Sequence, residues 1–345
     1  KYHLQQKQNL EKRGGKMNYL AIDVGGTFIK YAVITDQCSI SVKDKTPTRQ
    51  DSMEIFIDSL VEIYEKVSSS YELDGVALSM PGIIDSKRGF MYTGGSLFCI
   101  SNVNIVEILE QRLHVPVTVE NDAKCAALAE LWKGAIKDCN NAIVVVCGTA
   151  VGGAVICNRE IVSGRNFMAG EFSYIITDSK DDYKMSNCLA ETAGAASLLR
   201  SVSEETGIPV EELSGEKAFS LANQGNPSAL AGIRKHAKKL AIQIHNYQYM
   251  FDPEKIAIGG GISEQPLLLQ LIREELAKIN GMFPWTLPVP EVTTCQFFND
   301  ANLIGAVYVH IKAREKKISM DKVNELMELL ENRREGEYLK ALLME

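Results

Sequence analysis

The sequence predicts an α/β protein of about two domains, and three observations support this class. Apolar runs of strand length alternate with segments that carry apolar residues at helical spacing. The chain has 345 residues, of which 46% are hydrophobic, so it can bury a substantial core. Three glycine-rich turns each follow an apolar, strand-like run, at the position where α/β proteins bind ligands.

The first half of the chain alternates strands and helices after an opening hairpin. Its predicted elements are a hairpin over 19–34, a helix over 52–68, a strand over 75–79, a helix over 105–113, a strand over 115–119 and a helix over 123–134. The last of these helices is Ala-rich, and Asn121 or Asp122 is well placed as its N-cap.

The second half begins with another hairpin and is then mostly helical. Its predicted elements are paired strands over 142–147 and 153–157, a helical region over 189–279 interrupted by a strand over 255–258, and a helix over about 302–313. Ser319 is placed to cap one more helix in the C-terminal extension. We expect that helix to pack on its own domain, and contact with a second copy in a homodimer is the alternative.

These elements predict an N-terminal α/β domain over 17–120 and a larger C-terminal α/β domain over 121–301. The C-terminal helices over 302–345 follow, and the first is expected to pack back on the N-terminal domain. Residues 1–16 are basic and Gln-rich and precede Met17. We expect them to be a leader that is disordered or foreign to the natural protein, with Met17 as the natural start.

Composition excludes several classes of function. A net charge of −7 argues against a general nucleic-acid binder, because affinity for phosphate backbones needs clustered positive charge. No apolar stretch approaches the roughly 20 residues that span a bilayer, so no membrane insertion is expected. The eight cysteines are scattered without any C-x-x-C pair, which is typical of a reduced, cytoplasmic protein.

The glycine-rich turns carry the first functional prediction. Asp23-Val-Gly-Gly-Thr27 joins two apolar strands, and such a turn leaves backbone N–H groups bare beside a hydroxyl and an acid. Bare amides suit a phosphate, and the acid suits the Mg²⁺ that travels with it. An ordinary tight glycine turn is the alternative. The turns at 148–153 and 259–261 favour the functional interpretation, in which two related halves clamp a nucleotide between them.

Glu120-Asn121-Asp122 is the predicted chemical centre. The segment ends a strand and enters a helix, where α/β proteins present catalytic groups. A carboxylate there can accept the proton of a substrate hydroxyl that attacks a phosphoryl group. On spacing alone, a purely structural role for Asn121 and Asp122 as helix caps is equally compatible with the pattern.

Motifs in a fixed order make the chain resemble the ROK family (repressors, ORFs, kinases) of the actin-like ATPase and sugar-kinase superfamily. They are Asp23-Val-Gly-Gly-Thr27 with Lys30; Pro81-Gly82 with Asp85 and Gly89; Val119-Glu-Asn-Asp122 with Ala126 to Glu130; Gly148-Thr149 with Gly152-Gly153; Ala169-Gly-Glu171; Asp252-Pro-Glu254; Ile258-Gly-Gly-Gly-Ile-Ser263; and Asp300-Ala-Asn-Leu-Ile-Gly305. The resemblance spans Met17 to about Ala313. It implies a two-domain actin-like ATPase (ribonuclease H-like) fold with an interdomain cleft, and an ATP-dependent sugar kinase.

The resemblance also implies roles for individual residues. Asp122 is the expected general base, and it binds the sugar together with Asn121, Glu171 and Gly82. Asp23 is expected to support the Mg²⁺ bound with ATP. The remaining expected ATP contacts are Gly25, Gly26, Thr27, Lys30, Gly148 and Thr149 around the phosphates, and Gly259, Gly260 and Gly261 near the adenosine.

The chain departs from the family at a zinc site. Many members have a His where this chain has Tyr174, followed by a cysteine cluster of which only Cys188 remains. One thiolate cannot provide the four ligands of structural zinc, so we expect no zinc.

In zinc-bearing members of the family, the His and a Glu after the last cysteine also lie near the anomeric hydroxyl of the sugar. The resemblance therefore implies that this chain lacks both polar contacts. A pocket without them resembles that of the β-glucoside kinases, so a β-glucoside such as cellobiose is the favoured substrate, phosphorylated on its 6-hydroxyl. Free glucose or N-acetylmannosamine is the alternative substrate if Glu191 takes the place of the missing Glu near the anomeric hydroxyl. A non-catalytic sugar sensor or transcriptional regulator is the alternative of another class, although the leader is too short for a winged helix-turn-helix.

Overall fold

The computed structural model describes residues 16–178 and 184–331. Residues 1–15 of the expected leader and residues 332–345 of the extension lie outside this description. The described strands are β1 Asn18–Val24, β2 Phe28–Thr35, β3 Ile40–Pro47, β4 Gly75–Met80, β5 Ile84–Asp85, β6 Phe90–Met91, β7 Val103–Asn104, β8 Val117–Asn121, β9 Ala142–Cys147, β10 Val151–Cys157, β11 Glu160–Ile161, β12 Lys255–Gly259 and β13 Glu291–Thr294.

The described helices lie mainly in the second half of the chain. They are α1 Met53–Ser68, α2 Ile105–Leu113, α3 Asp122–Lys133, α4 Leu189–Ala193, α5 Ala195–Thr206, α6 Gly215–Asn223, α7 Pro227–Phe251, α8 Pro266–Asn280 and α9 Ala301–Glu331. No helix in these ranges is both long enough and apolar enough to cross a lipid bilayer.

Two five-stranded sheets share one topology. The first has the order β3-β2-β1-β4-β8, and the second has the order β11-β10-β9-β12-β13. In the first sheet, β1, β2 and β3 are antiparallel neighbours, and β4 and β8 run parallel to β1. In the second sheet, β9, β10 and β11 are antiparallel neighbours, and β12 and β13 run parallel to β9. The predicted α/β class is confirmed, and this duplicated arrangement is the actin-like ATPase fold that the motifs implied.

Helix α3 lies between the two sheets and joins their cores. Cys125, Ala126 and Ala129 pack with Ala21 and Ala77 of the first sheet in a cluster that also contains residues of α9. Ala127 and Leu128, on another face of α3, belong to a cluster with residues of the second sheet. Small side chains on α3 allow this close packing.

The parallel register of the first sheet aligns the ends of three strands. Asp23 of β1 lies opposite Ser79 of β4, which lies opposite Glu120 of β8. Because carboxyl ends of parallel strands meet at one edge, polar residues distant in sequence collect there.

Most predicted elements are confirmed, and the C-terminal helices differ. The helix over 105–113 and the strand over 142–147 have the predicted bounds. Ser319 is not an N-cap, because α9 runs without interruption from Ala301 to Glu331. Strand β3 was not predicted, because its exposed Lys43, Asp44 and Lys45 hide the period-2 pattern. The strands of two to four residues were not predicted either.

Candidate active site

Asp23 ends the apolar strand β1 and is 6% exposed. Its Oδ1 accepts hydrogen bonds from Ser79 Oγ and Asn302 Nδ2, each at 2.9 Å. Lys30 Nζ lies 3.8 Å from the other oxygen, Oδ2. The carboxylate is therefore oriented through one oxygen, while the second oxygen faces a partly exposed cation.

Asp122 is the first residue of α3, directly after the edge where Asp23 lies. Its Oδ1 accepts a hydrogen bond of 2.8 Å from the backbone N–H of Ala123. Burial is the main cause that raises the pKa of the Asp122 carboxyl to about 6, and the negative charges of Asp23 and Glu171 contribute to the same shift. The structure thus brings three sequence-predicted acids into electrostatic contact.

Asn121 has two contacts that position the start of α3. Its Oδ1 accepts from the backbone N–H of Lys124 at 3.2 Å, so the residue is the N-cap of α3. Its Nδ2 donates to the carbonyl of Gly82 at 3.1 Å. Gly82 has φ +108°, and an added Cβ would lie 2.1 Å from the Thr93 carbonyl oxygen, so only glycine fits. The cap role is confirmed, and the sugar role of Asn121 and Gly82 stays a prediction.

Glu120 is held by contacts of its own. Its Oε1 accepts from the backbone N–H of Asn121 at 2.8 Å, and its Oε2 accepts from Ser86 Oγ at 2.7 Å. Burial raises the pKa of this carboxyl. These bonds tie the β8–α3 junction to the loop after β5.

Glu171 reaches the site from the second sheet. The preceding Gly170 has φ +85°, and an added Cβ there would lie 3.0 Å from Cα of Ala154, so the loop packs directly on β10. Burial raises the pKa of Glu171, and the positive charge of Lys124 lowers it. Lys124 is 2% exposed and donates from Nζ to the Phe167 carbonyl at 2.9 Å.

Sequence reasoning missed three residues of this site. Ser79 and Asn302 hold Asp23, and Lys124 neighbours Glu171. A lysine inside the Ala-rich helix, two positions after Asp122, was the available signal for Lys124. Asn302 lies within a recognised motif but had no assigned role.

The first glycine turn presents its amides outward. Its carbonyls are occupied, since Thr48 Oγ1 donates to Gly25 at 2.7 Å and Gln50 Nε2 donates to Gly26 at 2.6 Å. Across residues 16–178 and 184–331, the N–H groups of Gly26 and Thr27 find no hydrogen-bond acceptor, and both residues are exposed. Such amides are available to an anion.

The second and third glycine turns lie against each other. Gly260 has φ +89°, and an added Cβ would lie 2.1 Å from the carbonyl oxygen of Cys147, the residue before Gly148. The Gly148 carbonyl accepts from the backbone N–H of Ala195 at 2.9 Å, which places the start of α5 at the same turn. Gly194, absent from the sequence analysis, permits this approach because an added Cβ would lie 2.5 Å from the Thr149 carbonyl oxygen.

Gly152 and Gly153 belong to strand β10 rather than to the turn. An added Cβ on Gly152 would lie 2.8 Å from Cβ of Ala123 in α3. An added Cβ on Gly153 would lie 2.6 Å from the ring of Phe172. Gly152 therefore lets the second sheet approach the helix of Asp122, and Gly153 makes room for the Phe172 ring beside Glu171.

The segment in which the chain differs from the family's zinc site is partly exposed. Tyr174 is 62% exposed, and Cys188 is buried with a free thiol. Within the described part of the chain, no group of three or more His, Cys, Asp or Glu side chains is arranged to hold a metal ion. The absence of zinc stays a prediction. Glu191 is exposed and pairs with Arg200 at 3.3 Å.

Comparisons with known proteins agree with this geometry. A model of the ROK family matches residues 19–313. The chain is similar to the β-glucoside kinase of Klebsiella pneumoniae, with 31% identity over 295 residues, 85% of this chain and 95% of that protein. The β-glucoside kinase of Listeria monocytogenes is 31% identical over 85% of this chain and 97% of its own length. A ROK family protein from Streptococcus pneumoniae, solved in complex with sucrose, has a TM-score of 0.77 at 30% identity and covers 87% of this chain and 100% of that one.

Proposed function

The chain belongs to the ROK family, and from this premise we propose that it is an ATP-dependent kinase for the 6-hydroxyl of a β-glucoside such as cellobiose. The observation that carries the proposal is Asp122. This carboxylate stands at the start of α3, close enough to Asp23 and to Glu171 for both negative charges to raise its pKa. Phosphoryl transfer needs a base, a bound donor and little else from the protein.

Asp122 is proposed as the general base. A pKa of about 6 leaves the carboxylate ionised at neutral pH and still basic enough to accept a proton. In the proposed step the 6-hydroxyl oxygen attacks the γ-phosphorus in line, the bond to the β-phosphate oxygen breaks, and the hydroxyl proton passes to Asp122. Asn121, Gly82 and Glu171 are proposed to hold the sugar. Closure of the cleft around both substrates excludes water, which would otherwise hydrolyse ATP.

The nucleotide is proposed to bind along the glycine turns. The exposed amides of Gly26 and Thr27, with Gly25, and the turn of Gly148 and Thr149 suit the phosphates, with Lys30 as a nearby cation. The turn over 259–261 is proposed to lie near the adenosine. Asp23 fits a magnesium ion, because one oxygen is held by two neutral donors while the other has only the Lys30 ammonium, 3.8 Å away, beside it among the described residues. Magnesium bound with ATP neutralises phosphate charge.

A β-glucoside is favoured over free glucose or N-acetylmannosamine. The free-sugar alternative requires Glu191 to supply the contact near the anomeric hydroxyl, and this carboxylate is exposed and paired with Arg200. Two relatives named β-glucoside kinase point to the same substrate class. The eight free cysteines support a cytoplasmic location. A homodimer through the C-terminal extension stays a proposal.

The test is ADP release measured with cellobiose, other β-glucosides, glucose, fructose, N-acetylglucosamine and N-acetylmannosamine. We expect the highest kcat/KM with a β-glucoside. Asp122→Asn should lower kcat by about 10²- to 10⁴-fold, because it removes the base but keeps the size of the side chain. A clear preference for a free sugar would exclude the β-glucoside assignment. Sugar binding without turnover would favour the non-catalytic sensor instead.

A further inference from the structure

Two aromatic rings from opposite sides of the cleft stack next to the proposed sugar residues. Tyr92 follows the short strand β6, and Phe167 lies in the loop that leads to Glu171. Their ring centroids are 5.6 Å apart with an interplanar angle of 22°. Phe90 packs edge-on against Tyr92 at 5.0 Å and 66°. None of these rings has a role in the proposed phosphoryl transfer.

The pair lies close to two of the proposed sugar residues. In the first sheet, β1 with Asp23 neighbours β4, which leads to Gly82, and β4 neighbours β8, which ends at Asn121. Gly82 packs against the backbone of Thr93, the residue after Tyr92. Phe167 lies four positions before Glu171. Tyr92 is thus adjacent to a residue that touches Gly82, and Phe167 belongs to the loop of Glu171, so each ring is linked to a proposed sugar residue.

The protein holds the pair in a defined geometry. Phe167 has φ +61°, a backbone conformation that bulky residues rarely adopt and that persists only where neighbouring contacts enforce it. The buried ammonium of Lys124 provides such a contact by donating to the Phe167 carbonyl at 2.9 Å. Tyr92 remains 36% exposed, so ring surface is accessible to a ligand. Rigid, partly exposed aromatic surface beside polar groups is typical of a binding subsite.

We propose that Tyr92 and Phe167 form the binding surface for the aglycone of the β-glucoside substrate. The inference rests on the proposed function. In a β-glucoside the aglycone is attached through the anomeric oxygen and extends outward from the glucose ring, past the residues that hold the ring. The surface suits a flat or apolar-faced group, either a phenyl ring or the C–H face of a second sugar ring.

The test compares glucosides that differ only in the aglycone. KM and kcat are measured for methyl β-D-glucoside, phenyl β-D-glucoside and cellobiose with Tyr92→Ala and Phe167→Ala. We expect KM for the phenyl glucoside and cellobiose to rise about fivefold with little change in kcat, because a ring contact contributes about 1 kcal/mol. Values for the methyl glucoside should stay within about twofold of the wild type.

Two matched variants serve as controls. Tyr92→Phe keeps the ring and should retain the KM of the wild type for all three glucosides. Tyr249→Ala removes an exposed aromatic ring near the C-terminal end of α7. That end leads to the start of β12, at the opposite edge of the second sheet from Gly259. The Tyr249→Ala variant should therefore leave the KM values of all three glucosides unchanged.

Two outcomes would overturn the aglycone surface. Equal increases of KM for the methyl and phenyl glucosides would mean that the rings act on the glucose unit, and unchanged KM values would mean that they contact no substrate. Calorimetric binding of the methyl and phenyl glucosides to the wild type and Tyr92→Ala decides the same question without turnover. If the wild type binds the phenyl glucoside more tightly than the methyl glucoside but transfers no phosphate, the proposed kinase activity is wrong. The proposal that the two rings bind the aglycone would then still hold.

Discussion

The sequence position of Asp122 left open whether this residue caps a helix or acts in the chemical step. It begins a helix whose N-cap is Asn121, and it lies in a buried environment that raises its pKa to about 6. A carboxylate used only as a capping group is stabilised in its charged form, which lowers its pKa. The raised pKa of Asp122 therefore supports a chemical role rather than a purely structural one.

The pKa of Asp122 predicts a pH profile. The base is protonated below about pH 6, so kcat/KM should fall roughly tenfold per pH unit below that point and level off above it. Measurement of kcat/KM over about pH 5 to 8 checks this expectation. A profile without a drop near pH 6 would contradict the role of Asp122 as base.

The same pKa predicts a cost in stability. A carboxyl whose folded pKa is raised disfavours folding above that pKa, and the penalty disappears below the unfolded value of 3.8. Asp122→Asn should therefore raise the free energy of unfolding at neutral pH by at most about 3 kcal/mol. Urea unfolding at pH 7.5 and at low pH should show the gain only at the higher pH. A destabilised variant at pH 7.5 would contradict the burial of an unfavourable charge.

Asp23 depends on two neutral donors from distant parts of the chain, Ser79 and Asn302. Asn302→Ala leaves one donor, so the carboxylate should lose orientation toward the metal. We expect the magnesium concentration at half-maximal activity to rise about tenfold, consistent with the loss of about 1 to 1.5 kcal/mol. Titration of Mn²⁺ into the enzyme–ATP complex, followed by electron paramagnetic resonance, measures the affinity without turnover.

The control for Asn302→Ala is Lys43→Ala. Lys43 forms an exposed ion pair with Asp300, two residues before Asn302, and such pairs contribute little. Lys43→Ala should leave metal affinity unchanged. Equal effects of both variants would assign the change to a general loosening around residue 300 rather than to Asp23.

Among the elements, α3 and α9 have the closest helix packing that bears on the site. Gly305 of α9 lies directly against α3, where an added Cβ would be 1.7 Å from the Cys125 carbonyl oxygen. The contact couples the helix that begins with Asp122 to the helix that carries Asn302. A glycine at this crossing lets both helices pack against the first sheet.

Gly305→Ala should force α3 and α9 apart. We expect the free energy of unfolding to fall by about 2 kcal/mol or more, because backbone cannot yield as a flexible side chain does. Urea unfolding measures the loss. Gly215→Ala is the matched control, since an added Cβ at this helical glycine meets nothing within 4 Å. This variant should keep the stability of the wild type or gain up to about 1 kcal/mol, because Ala has the higher helix propensity. Similar losses in both variants would contradict the packing argument.

The described strands form two five-stranded sheets of identical topology, with α3 packed against both, and a smaller sheet of β5, β6 and β7. The expected division into domains over 17–120 and 121–301 stays a prediction. If the cleft binds both substrates, a non-hydrolysable ATP analogue and cellobiose should stabilise the protein. At ligand concentrations of about 100 times Kd, each should raise the free energy of unfolding by about 2.7 kcal/mol.

Asp122→Asn should keep this ligand-induced stabilisation by the nucleotide while losing activity. Thermal unfolding of both proteins with each ligand checks the expectation. A variant that neither turns over substrate nor responds to the nucleotide would place Asp122 in the structure of the cleft rather than in the chemical step.

The local pattern of the sequence was sufficient for the α/β class, for most helices and central strands, and for the residues around Asp23, Asp122 and the glycine turns. Such features depend on apolar periodicity and on short motifs, which lie within a few neighbouring positions. The same information was insufficient for β3, whose exposed polar residues carry no clear period. The local pattern also predicted a separate helix starting after Ser319. This prediction was wrong, because α9 continues through Ser319, which does not act as an N-cap.

Contacts between distant segments were decided by the tertiary fold. Asn302 reaches Asp23 across most of the chain, Lys124 holds the loop of Phe167, and Tyr92 meets Phe167 from the other side of the cleft. No local pattern encodes these contacts, because they depend on strand order and on how helices pack between two sheets. Local motifs in the sequence therefore determined which residues are candidates for the chemistry, because a motif lies within a few neighbouring positions. The packing of the sheets and helices decided how these side chains are oriented and which rings lie near them, because such contacts join distant segments.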